Sequence, residues 1–115
     1  MLKAIQPADQ PIAEEVFCPS RQNFAVALCY DAWERVFTAT RKQNSRMDDV
    51  RRCAAAAYKV SMPPLAGFQN ICDFIACVGY GVLLTAIKPE DAGKLLYAAQ
   101  VALCAIPAKD RKPAT

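Results

Sequence analysis

Histidine is absent from this 115-residue chain. Its absence removes a histidine-ligated haem and every Ser-His or Cys-His nucleophile pair. Six cysteines are present, at 18, 29, 53, 72, 77 and 104, but none are in Cys-x-x-Cys spacing. A zinc site would need ligands gathered from several helices, so neither a metal nor any other cofactor is expected. Glycine is scarce, at four residues, and no hairpin-turn signal repeats, which argues against an all-β fold. The chain also lacks a membrane-spanning run. No charge-free stretch exceeds the 14 residues of Phe74–Ile87, against the ~20 that cross a bilayer. The opening Met-Leu-Lys-Ala-Ile-Gln-Pro-Ala-Asp-Gln carries no signal-peptide apolar core. A cytoplasmic, reducing setting follows as an expectation, with most of the cysteines reduced and serving as small core residues.

What is present points to helices. The length is near the commonest size of a single domain, and 54% of residues are hydrophobic, many of them alanine or cysteine. The predicted fold is all-α: one bundle of about four helices, with a central apolar helical hairpin over residues 63–107. Residues 1–19 read as an irregular N-terminal arm, 20–107 as the bundle domain, and 108–115 as a disordered basic tail.

Pro19-Ser20 marks the start of a first helix to about Lys42, with Ser20 as its cap. Val26, Cys29, Tyr30, Trp33, Val36 and Phe37 form its apolar stripe. Ser45 and Asp48 have capping-box spacing for a second helix to about Ser61, with Val50, Cys53, Ala54, Ala57 and Val60 inward. Pro63-Pro64 ends that helix. A third, from Leu65 to Lys88, is apolar nearly all round, and Cys72, Ala76 and Gly79 make a small-residue groove along it. Pro89 suits the first turn of a fourth helix, where Glu90 and Asp91 favour the dipole. Its inner face would be Leu95, Ala99, Ala102, Leu103 and Ile106, and Pro107 closes it.

Asp73 is the most unusual residue, a lone acid inside an apolar helix. A buried carboxylate needs a partner, and Arg51 or Arg52 of the second helix would supply an ion pair. Gly79-Tyr80-Gly81 falls mid-helix, where each glycine costs about 1 kcal/mol against alanine. Close packing explains that spacing, and a kink forming a small pocket at Gly79, Tyr80 and Gly81 is the functional alternative. It is not a phosphate loop, since no Lys-Ser/Thr follows and no strand precedes it.

The basic residues Arg35, Arg41, Lys42, Arg46, Arg51, Arg52 and Lys59 could form a nucleic-acid patch. Ala54–Ser61 resembles the first helix and turn of helix-turn-helix domains. Pro63-Pro64 and the apolar Leu65–Ile71 then stand where a polar recognition helix should begin. With catalytic sets missing, the expected function is non-enzymatic: protein–protein interaction as an adaptor, inhibitor or regulator, with self-association as a homodimer. Trp33, Phe37, Phe68 and Phe74 are the interface candidates, because an all-round apolar helix needs more cover than its neighbours supply. The alternatives are nucleic-acid binding through residues 35–59, and a small enzyme or ligand carrier using Asp73 and Tyr80. No membrane or metal partner is expected.

Overall fold

A computed structural model describes residues 23–43 and 46–112. Four helices follow one another: α1 (Phe24–Gln43), α2 (Met47–Val60), α3 (Phe68–Leu83) and α4 (Pro89–Cys104), with a closing 3-10 turn at Ala108–Asp110. Among the described residues there is no strand, and the fold is an all-helical bundle. The arm over 1–19 and the candidate caps Ser20 and Ser45 lie outside the described residues.

Asn23 stands at the cap of α1. Its Oδ1 accepts the Val26 N–H at 3.1 Å, satisfying one of the donors that a helix N-terminus leaves unpaired. Arg41 and Lys42 in the last turn complement the negative end of the helix dipole. The expected stripe holds: Val26 and Cys29 are buried and Tyr30, Trp33, Val36 and Phe37 partly so.

The buried arc of α2 is rotated from the expected one. Val50, Ala54 and Tyr58, each four residues from the next, are fully buried. Cys53 is exposed, and Val60 is 84% exposed. The physical reason is Tyr58, whose ring is worth far more buried than the Val60 side chain, and whose hydroxyl finds a partner inside. It donates to the Cys77 carbonyl at 2.6 Å.

Helix α3 is shorter at both ends than the apolar run suggests. Gly67, at φ 88, forms its N-terminal boundary in a conformation that suits glycine. At the other end the Ala86 N–H reaches the Gly81 carbonyl at 2.8 Å, and the Thr85 N–H reaches the Val82 carbonyl at 3.0 Å. This is the Schellman pairing, with Thr85 in the left-handed region at φ 63. The turn buries Ala86 and Ile87 beneath α3 and starts α4 at Pro89, with Glu90 and Asp91 in its first turn.

The inner face of α4 is the expected one, with Ala99 fully buried and Leu95, Ala102, Leu103 and Ile106 partly so. The chain continues past Pro107 into a 3-10 turn at Ala108–Asp110, within the stretch that the sequence reads as a disordered tail. Arg111 folds back to donate its Nε–H to the Ile106 carbonyl at 2.8 Å, placing a cation at the helix C-terminus. Two local hairpins result, α1 with α2 and α3 with α4, and the packing of α1 on α3 joins them. Most of the described cysteines are not core residues: Cys29 and Cys77 are buried, Cys72 is intermediate, and Cys53 and Cys104 are exposed.

Candidate functional site

Helix α3 has two apolar faces, and among the described residues only one is covered. Ile71, Phe74, Cys77, Val78 and Gly81 make the buried arc. On the opposite side Ile75, Gly79 and Leu83, spaced four apart, point to solvent. Leu83 is 70% exposed, and a Cβ built on Gly79 would meet nothing within 4 Å. Phe68, Cys72, Ala76 and Val82 flank that line, partly buried, and no charged residue interrupts it. Of the small residues Cys72, Ala76 and Gly79, the first two are partly buried, and no neighbour among the described residues fills the space at Gly79. Helix α4 adds outward apolar side chains one turn apart, Tyr97 at 69% and Val101 at 53% exposed.

The interface candidates divide. Phe74 is 9% exposed and belongs to the core, because it lies on the arc that faces the other helices. Phe68 borders the open face of α3. Trp33 and Phe37 are partly buried in an aromatic ladder along α1: the rings of Tyr30 and Trp33 stack at 5.9 Å, and those of Trp33 and Phe37 at 4.9 Å. Tyr80 meets Tyr30 edge-on at 6.2 Å.

Gly79, Tyr80 and Gly81 all lie within α3, which runs unbroken through the three. Each does something different. Gly79 faces outward, Tyr80 touches α1, and Gly81 lets the Ile87 and Tyr58 side chains approach the backbone.

Asp73 is partly buried, and its ion pair with Arg51 or Arg52 does not form. Its Oδ1 accepts hydrogen bonds from Asn23 Nδ2 at 3.0 Å and from Gln69 Nε2 at 3.1 Å. Arg52 instead pairs with Asp49 one turn away, and Arg51 is exposed on α2. Two amides serve where a cation was expected, because a carboxylate at a partly open seam needs donors rather than full neutralisation. Asn23 thereby caps α1 and ties it to α3 with one side chain.

Buried beneath Asp73 is a cluster that the sequence did not single out. Cys29 and Cys77 place their Sγ atoms 3.7 Å apart, and Tyr58 lies against them. The hydrogen bond with Cys77 holds the Cys29 thiol below its ordinary range, although burial opposes the effect. The same bond, then burial, pushes the Cys77 thiol far above its usual value. Burial, followed by the neighbouring thiols, does the same to the Tyr58 phenol. The spacing Val50-Ala54-Tyr58 was the signal that could have placed this tyrosine inside.

The basic residues Arg35, Arg41, Lys42, Arg46, Arg51, Arg52 and Lys59 are all exposed. They do not form a one-sign surface. Arg46 and Arg52 engage Asp49, and the open depression along α1 is lined by Asp31 and Glu34 as well as Arg35 and Lys42. Nucleic-acid backbones call for a stripe of uncompensated cations. Among the described residues no group of three potential ligands is gathered for a metal, and no helix is long and apolar enough to cross a membrane.

Compared with known proteins, the chain matches no family model, and no characterised protein or solved structure is significantly similar to it.

Proposed function

We propose that this chain acts by protein–protein contact, as an adaptor, inhibitor or regulator, and that it associates with a second copy of itself across the outer face of α3. The observation that carries this reading is the uninterrupted apolar line Ile75–Gly79–Leu83, with Leu83 70% exposed on a helix whose other side is already packed. Exposed apolar surface of this kind marks association sites. The line is also self-complementary. If two α3 helices cross antiparallel at Gly79, each Ile75 meets the partner's Leu83, and the two glycines let the backbones approach. A twofold axis through that point gives a closed dimer.

Leu83→Glu tests the reading without touching the core, because the side chain faces solvent in the single chain. Light scattering at micromolar concentration should give about twice the 12.6 kDa chain mass for the wild type and the single-chain mass for the variant. A wild type that stays at 12.6 kDa would overturn self-association.

A further inference from the structure

The seam between the two hairpins contains a matched pair of nucleophiles. Cys29 on α1 and Cys77 on α3 are each fully buried, and their sulfurs are 3.7 Å apart although 48 residues separate them in the chain. A disulfide bond is about 2.05 Å long, so closing it asks for an approach of roughly 1.7 Å, shared between two side chains turning about their Cα–Cβ bonds. The other described cysteines are differently placed: Cys53 and Cys104 are exposed on α2 and α4, and Cys72 borders the outer face of α3.

We propose that Cys29 and Cys77 form a redox-sensitive lock, in which hydrogen peroxide converts the thiol pair into a disulfide that fastens α1 to α3. Cys29 attacks one peroxide oxygen, the O–O bond breaks, and Cys29 becomes a sulfenic acid as the first water leaves. Cys77 then attacks the Cys29 sulfur. The S–O bond breaks, the S–S bond forms, and a second water departs with the Cys77 proton. Two thiols lose two electrons and the peroxide is reduced to two waters. The hydrogen bond with Cys77 holds the Cys29 thiol below its ordinary range, which suits Cys29 to the first step. Tyr58, through its bond to the Cys77 carbonyl, holds the second sulfur in register.

Because neither sulfur reaches solvent, the oxidant acts only when the seam opens locally, and the product closes the seam through which it entered. Oxidation is therefore slower than at Cys53 or Cys104, and it leaves a chain whose hairpins no longer part.

The test treats the folded full-length chain with hydrogen peroxide, alkylates the remaining thiols after unfolding, and maps non-reduced peptides by mass spectrometry. The expected result is a Cys29–Cys77 linked peptide as the main intrachain cross-link, with loss of two hydrogens, a raised thermal midpoint, and reversal of both by dithiothreitol. Cys29→Ala should abolish the linked peptide and the shift in midpoint. Should that variant fail to fold, the peptide map of the wild type still decides. Recovery of Cys29 and Cys77 as alkylated thiols after other cysteines have reacted, or a scatter of pairings with no preference for this one, overturns the proposal.

Discussion

Replacing Gly81 by alanine adds one methyl group at a point where there is no room for it. Its Cβ would lie 2.7 Å from Ile87 Cδ1, 3.0 Å from Ile87 Cγ1 and 3.0 Å from Tyr58 Cε1, well inside the ~3.5–4.0 Å that carbon atoms prefer. Neither neighbour gives way easily. Ile87 is 2% exposed, and the Tyr58 ring is pinned by its hydroxyl at the Cys77 carbonyl. Overpacking of this kind costs about 1–3 kcal/mol, against about 1 kcal/mol gained when alanine replaces glycine in a helix. Gly79→Ala, two residues away, is the control: the same propensity gain with nothing within 4 Å to meet. The propensity term cancels between the two variants, so their difference isolates the overpacking, about 1–3 kcal/mol in favour of Gly79→Ala. Urea unfolding followed by far-UV circular dichroism measures it, run at two protein concentrations so that altered association at the Gly79 face shows as concentration dependence. Ile87→Ala in the Gly81→Ala background should recover part of the loss relative to the sum of the single changes. If Gly81→Ala proves as stable as Gly79→Ala, the packing argument at this turn is wrong.

Two further perturbations address the seam. The Tyr58 phenol stays protonated in the fold while an unfolded phenol ionises near pH 10, so its contribution is complete below about pH 10 and declines above it, by about 1.4 kcal/mol at pH 11. Tyr58→Phe should lose about 1 kcal/mol at neutral pH and show a shallower alkaline decline; equal slopes for the two proteins between pH 10 and 11 would refute the linkage. Asp73→Asn keeps an acceptor oxygen for Asn23 and Gln69, so it should cost about 1–2 kcal/mol, whereas stranding a buried arginine would cost about 3–5. A loss of 3 kcal/mol or more in thermal unfolding would revive the ion pair.

The parts of this fold legible in the sequence are those where one strong periodicity acted alone. The stripe of α1 and the inner face of α4 are of this kind, as is the start of α4 at Pro89. Helix α3 was readable as apolar all round, but its ends were not, because Gly67 and Thr85 stop it by backbone conformation within an apolar run. Helix α2 was misread where two patterns overlapped. Cys53 and Val60 competed with Tyr58 for the inward positions, and a hydroxyl partner 19 residues away settled the rotation. Asp73 stands out in the sequence as a lone acid, but a search for charge does not find its partners, since two amides hold it, one 50 residues away and one a turn away.

The turn between α3 and α4 leaves the chain no slack. The N–H groups of Leu84, Thr85, Ala86 and Ile87 are all committed to carbonyls of α3, and the Lys88 carbonyl already accepts from Ala92. Thr85 holds a left-handed backbone that costs a non-glycine residue about 1–2 kcal/mol, so the turn is kept by its surroundings rather than by its own preference. An extra residue inserted there would break one of these bonds or lift Ile87 from its seat beside Gly81. For anyone recutting this chain, by circular permutation or by inserting a reporter, Leu84–Lys88 is thus the joint to leave intact. The connection before α3, where Pro64, Ala66 and Gly67 are exposed, is the place to open it.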